Sequence, residues 1–251
     1  MIIDMHAHIG TYPDNHNYNG DAAGVISLAK KANIDVTIVS HYQALFAKDI
    51  EALLRANENA YKVVAEKPEL AMWVVLNPLF SENWRQAEEM LNYKKCIGIK
   101  IHPELHNYDI TEHIDKILDF SSRRRAVFLS HAGDKNSSPL KIGEASSNYP
   151  DSIFIMAHLG NEIDVYDSTT HINAILNSKS KNLFTDTSSS RSIYHGYLER
   201  AVDKIGAGKI LFGSDSPIHF APSQTVRVVM SDLTPEEKEL IMGKIFINVL
   251  L

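Results

Sequence analysis

Eight short runs of apolar and β-branched residues recur at roughly even spacing from one end of this chain to the other, and few folds satisfy such a rhythm. They are "MIIDMH", "IDVTIVSH", "ELAMWVVLN", "CIGIKIH", "AVFLSH", "SIFIMAH", "NLFTDT" and "KILFGSD". Each reads as a strand, and the stretches between them read as amphipathic helices. "DAAGVISLAKKAN" places Val25, Leu28 and Ala29 at helical spacing, and "DIEALLRANENAYKVVAEK" does so with Leu53, Leu54, Ala60 and Val64. "ITEHIDKILDFSSRR" predicts a helix capped by Thr111 and closed by Arg123, Arg124 and Arg125, where cations suit the negative end of the dipole. A final helix opens with Thr234 as cap, Pro235 in the first turn, and Glu236 and Glu237 near its positive end. Strands alternating with helices call for a parallel sheet with right-handed crossovers. Eight such units in 251 residues predict a single α/β domain over 1–251, a (β/α)8 TIM barrel with a C-terminal helix. An open, doubly wound sheet is the competing arrangement.

Composition narrows the function classes. The net charge is −6, with no basic stripe, which argues against nucleic acid as a partner. No apolar run is long enough to cross a bilayer, and the first residues lack the order of a signal peptide. The one cysteine, Cys96, has no partner within the chain for a disulfide. The expectation is a cytoplasmic protein acting on a small molecule, free of membrane and nucleic acid, with homo-oligomerisation left open.

The strand ends carry the chemistry. In the first run, alternation predicts Asp4, His6 and His8 on one face and Ile3, Met5 and Ala7 on the other. Lys100 and His102 end the fourth run, His131 the fifth, His158 the sixth and Asp215 the eighth. In a parallel barrel these ends meet at one rim, so residues far apart in sequence converge. Imidazoles with a carboxylate are what a catalytic divalent ion needs, zinc first, with manganese or iron as alternatives. Asp4, deeper on its strand, is expected to orient a ligand. Lys100, His102 and Arg191, the last following the seventh run, are candidates to receive an anionic substrate. Tyr12 and Tyr108 could wall the pocket, and His16, His41, His106 and His219 follow strand ends and could border it. The loop "GTYPDNHNYNGD" is long enough to be a substrate loop.

Taken together, "IDMHAHIG", "GIKIHP", "FLSHAGD", "FIMAHLGN", "LFGSDSP" and the ending "KIFINVLL", with Asn248, resemble the amidohydrolase superfamily. The nearest resemblance is to its amidohydrolase-related branch of metal-dependent TIM-barrel proteins. The resemblance implies that His6, His8, His131 and Asp215 bind a first metal. It implies that His158 either contacts the transition state or binds a second metal. Lys100 would be a carboxylated bridge between two metals, an uncarboxylated pocket lysine or a structural residue. The related deoxyribonuclease branch uses a Glu on the fourth strand, which this chain lacks. The implied reaction is hydrolysis of an amide, lactone or ester by metal-activated water, with Asp215 as general base and His158 stabilising or protonating. The same ligand set also serves nonoxidative decarboxylases and hydratases, and a barrel that binds metal without catalysis is the third reading.

Overall fold

The computed structural model describes residues 1–12 and 20–247. His16, most of the loop after the first strand, and the chain end from Asn248 onward lie outside the described residues. Eight parallel strands form one sheet in sequence order: β1 (Ile3–Ile9), β2 (Val36–His41), β3 (Leu70–Val75), β4 (Cys96–Ile101), β5 (Val127–Ser130), β6 (Ile153–Met156), β7 (Leu183–Asp186) and β8 (Ile210–Leu211). Closure comes just beyond β8. Met5 N–H donates to Phe212 O at 3.0 Å, Asp215 N–H to His6 O at 2.7 Å and His8 N–H to Ser216 O at 2.7 Å, and Ala7 bridges Ser216 in parallel fashion. The predicted TIM barrel is the observed fold, and each of the eight runs forms a strand.

Two apolar layers hold it. Ile3, Met5, Ile38, Trp73, Leu129, Ile155, Phe184 and Leu211, drawn from seven strands, pack together and fill the barrel. Val39, Val74, Ile99, Phe128 and Phe154 point the other way, against helical residues such as Val25, Ala60, Val64 and Ile117. Successive residues of one strand therefore serve opposite layers, as the pleat requires.

Two local expectations need correction. The β1 ladder slips between Asp4, opposite Thr37, and Ala7, opposite Val39, so β1 carries one residue more than β2 there. The bulge breaks the predicted alternation: Met5 joins the barrel filling, Ala7 and Ile9 join the outer layer, and His6 and His8 face the cavity. Asp4 does not share their face. The carbonyl of Met5 instead accepts the Trp73 indole N–H at 2.8 Å.

Thr111 does not cap a helix. It lies in a 3-10 turn, Ile110–Glu112, whose cap is Asp109, because that carboxylate reaches both the Thr111 N–H and hydroxyl; the α-helix is Ile114–Arg124. Thr234 does cap Pro235–Glu239, in a full capping box with Glu237. That helix then loosens to π geometry over Leu240–Lys244, where a side chain on Gly243 would collide with the Met1 carbonyl at 2.8 Å. Among the described residues no helix is long and apolar enough to cross a membrane.

Candidate metal centre

The C-terminal strand ends open into a cavity of about 250 Å³, lined by His6, His8, Lys100, His102, His131, Asp134, His158 and Asp215. Tyr12, Tyr42, Leu45, Leu105 and Ile218 add the apolar lining, with Tyr42 stacked on His8. A smaller cavity of about 160 Å³ shares His131, Asp134, His158 and Asp215 and adds Asn161, Ser189, Ser190 and His219.

At the floor, donor atoms of His6, His8 and Asp215 lie within 4.8 Å of one another. His8 Nε2 is 3.0 Å and His6 Nε2 3.7 Å from Asp215 Oδ1. Both rings are oriented from behind: His8 Nδ1 by the Ser40 hydroxyl at 2.8 Å, His6 Nδ1 by Asp186 Oδ2 at 2.8 Å. Two imidazole nitrogens and a carboxylate oxygen, buried and braced, fit a divalent cation by the chemistry of the donors. A second grouping, His6 with His158 and Asp186, surrounds the Ser188 hydroxyl, which is 2.7 Å from His158 Nδ1 and 3.1 Å from His6 Nδ1.

Backbone placement of the rim depends on side chains more than on the ladder. His158 (φ 66°) and Asp215 (φ 56°) both adopt the left-handed conformation, uncommon for residues with a Cβ. His158 is held there by its N–H on Asp186 Oδ1 at 2.8 Å. Asp215 follows Ser214, whose N–H and hydroxyl both donate to Asp4. Asp4 also accepts the His6 N–H at 3.2 Å, so it acts on the site through backbone rather than on a ligand ring. Gly133 (φ +100°) lets the loop after β5 touch the loop after β6; a Cβ there would stand 2.1 Å from Asn161 O.

Electrostatics follow from burial. Burial opposes ionisation of Asp215, yet the hydrogen bond from His8 and the nearby His6 and His158 hold its carboxyl well below the usual range. Asp186, fully buried, is likewise kept ionised against desolvation, by His6, His158 and the Ser188 hydroxyl. Burial keeps the imidazoles neutral, pulling His8 down to about 4 and His102 and His158 well below the ordinary value. Lys100, 1% exposed, is pulled down to about 8 by burial, against the pull of Asp215 and Asp186; its Nζ lies 2.8 Å from His6 Nε2.

The other candidates fall in different places. His131 lines the cavity but stands outside the three-residue cluster: its Nε2 is held by Asp134 Oδ2 at 2.6 Å, and its ring stacks on His102 at 4.2 Å. His102 also caps the short helix Pro103–His106. Arg191 is not among the lining residues of either cavity, because its guanidinium turns to the Glu162 carbonyl. Tyr12 walls the cavity, whereas Tyr108 is buried away from it. His219 borders the smaller cavity; His41 caps Tyr42–Leu45, and His106 bonds the Ala44 carbonyl. Sequence reasoning missed Asp186, Asp134 and Ser188. Asp186 had a signal, a carboxylate closing a strand at the same rim; Asp134 and Ser188 lie in loops, where strand periodicity gives no direction.

Among solved structures, 2,6-dihydroxybenzoate decarboxylase from Rhizobium matches at a TM-score of 0.74 and 12% identity, covering 97% of this chain and 96% of that one. For 5-carboxyvanillate decarboxylase from Sphingomonas paucimobilis the values are 0.73, 14%, 99% and 98%. A dihydroxybenzoic acid decarboxylase from Polaromonas sp. JS666, with bound manganese and the inhibitor 2-nitroresorcinol, gives 0.74, 13%, 96% and 94%. At such identities the likeness is one of fold. No curated protein matches the sequence. The amidohydrolase family model, by contrast, matches residues 3–244, from the first strand to the last described helix, and the chain therefore belongs to the amidohydrolase-2 family of metal-dependent enzymes.

Proposed function

We propose that this protein is a metal-dependent hydrolase that opens a small, anionic carbonyl substrate, an amide, lactone or ester, with Asp215 as general base. The observation that carries this reading is the convergence of His6, His8 and an ionised Asp215 at the floor of a small cavity. His131 and His158 border the same floor and complete the proposed donor set. A divalent ion there, zinc first and manganese or iron as alternatives, supplies the Lewis acidity that polarises a carbonyl and activates water near neutral pH.

The chain's own residues do the rest. Asp215 Oδ1 is engaged by His8, and Oδ2 is the oxygen that accepts the proton of the attacking water and returns it to the leaving atom. Ser188 donates its hydroxyl proton to Asp186, since an ionised carboxylate only accepts, so the same oxygen takes the His158 Nδ1 proton and leaves Nε2 bare. His158 therefore suits accepting a proton or donating a lone pair, and not protonating a leaving group from a resting imidazolium. Lys100 supplies positive charge for a substrate carboxylate or developing oxyanion, with His102 beside it. Arg191 has no part in this proposal. The apolar wall of Tyr12, Tyr42, Leu45, Leu105 and Ile218 packs the carbon skeleton and displaces water. The volume, below the roughly 300–1,000 Å³ usual for drug-sized ligands, restricts the substrate to a small one.

A second reading, nonoxidative decarboxylation, is favoured by the Tyr42 ring, which lines the cavity stacked on His8 at 4.6 Å, and by the aromatic-acid decarboxylases among the similar folds. The experiment is metal content per chain after purification without chelator, followed by parallel assays on lactones, small amides and hydroxybenzoates. Ring opening or amide cleavage that a chelator abolishes and metal restores is the expected result. Carbon dioxide released from intact hydroxybenzoates would move the assignment to the lyase. A metal that leaves only on unfolding, with no turnover of any probe, would make the barrel a non-catalytic metal binder.

A further inference from the structure

Asp186 touches both halves of the candidate centre, and neither an established role nor the metal proposal accounts for it. Its carboxylate is fully buried and accepts four donors. Oδ2 takes the His6 Nδ1 proton at 2.8 Å; Oδ1 takes the backbone N–H of His158 at 2.8 Å, that of Ser188 at 3.0 Å and the Ser188 hydroxyl. Each contact has a distinct consequence. A carboxylate can only accept, so His6 must carry its proton on Nδ1, and its Nε2 presents a lone pair. Lys100 Nζ, a donor 2.8 Å from Nε2, demands the same tautomer from the opposite side of the ring. The bond to the His158 N–H stabilises a left-handed backbone, which turns that side chain back over the cavity. The Ser188 hydroxyl passes the acceptor demand on to His158 Nδ1 at 2.7 Å.

We infer that Asp186 is the positioning residue of the centre: one carboxylate selects the Nδ1–H tautomer of His6 directly and of His158 through Ser188, and so aims two bare Nε2 atoms, one on β1 and one just past β6, into one cavity. The consequence for metal rests on the function proposed above; the tautomer selection does not.

Asp186→Asn, made and compared in a Lys100→Met background so that no donor is left facing His6 Nε2, is the informative variant because its amide has a forced orientation. Three donors compete for the Oδ1 position and one for Oδ2, so the amide oxygen takes the three and the NH2 faces His6. His6 must then accept at Nδ1 and carry its proton on Nε2, the nitrogen the ion needs. Long-range proton–nitrogen NMR of the metal-free protein reads the tautomers. The expected result is His6 as Nδ1–H in the parent and Nε2–H in Asp186→Asn, with zinc affinity, by chelator competition, falling about 10- to 100-fold. Ser188→Ala serves as the second variant. It removes the His158 limb and leaves Asp186 Oδ2 on His6 Nδ1, so His158 loses its single tautomer while His6 keeps Nδ1–H. His6 remaining Nδ1–H in Asp186→Asn, or His158 unchanged in Ser188→Ala, overturns the proposal. A parent protein that holds no zinc yet shows both Nδ1–H rings upholds the positioning role and sinks the metal chemistry. Bound zinc with His6 as Nε2–H does the reverse.

Discussion

The two halves of the barrel deliver residues to the same cavity by different means. In the first half the strands are six or seven residues long, and His6, His8 and Lys100 lie inside them, their backbone carried by the ladder on either side of the β1 bulge. In the second half the strands are four residues long, or two in β8, and His131, His158 and Asp215 lie beyond their ends. There the aim comes from side chains: Asp134 on His131, Asp186 on His158, Asp4 and Ser214 beneath Asp215. A ladder sets direction by geometry shared along the strand. A side-chain clamp sets it one residue at a time, and can hold a left-handed conformation that no ladder supports.

The largest expected effect falls in the clamped half. Asp215→Asn keeps an oxygen at the centre but removes the proton acceptor. Turnover on the substrate identified by screening should fall about 10²–10⁴-fold, with metal content nearly unchanged. Full turnover in that variant would end its proposed role as base. The comparison is sharpened from the other side by Trp73→Ala. Trp73 is fully buried in the barrel filling and ties the β1 bulge through Met5 O, so its truncation should cost about 3–5 kcal/mol in urea unfolding. A loss under 1 kcal/mol would mean that the long strands hold without their interior.

The smallest effect is a slope. His171, buried with its ring on the Ala157 carbonyl at 2.9 Å, is pulled down to about 4 by desolvation, from an ordinary value of 6.5. Between those values the unfolded chain binds the extra proton. Stability is therefore complete above about pH 6.5 and falls on acidification, by at most about 1.4 kcal/mol per pH unit for this group. His171→Gln should flatten the unfolding free energy between pH 7 and pH 5. An unchanged slope would assign the acid sensitivity elsewhere.

The same division explains what could be read from the residues alone. Strand rhythm exposes every strand, and rim position exposes His6, His8, Lys100, His158 and Asp215 as neighbours. Periodicity is blind to a bulge, which is why Asp4 and Met5 were expected on the wrong faces. It is equally blind in loops: Arg191 has the right charge at the right strand end, but the course of the loop commits it to the Glu162 carbonyl. Asp134 and Ser188 acquire meaning only once the loops after β5 and β7 are seen beside the histidines.

The seam where the barrel closes has a consequence for biosynthesis. His8 and Asp215 face each other across a separation of 207 positions, at the junction that joins the first strand to the segment after the last. A growing chain holds His6 and His8 long before it holds their carboxylate partner, which follows only after all eight strands. The donor grouping is thus complete only in a completed ring, and any fragment ending before β8 keeps the histidines without Asp215.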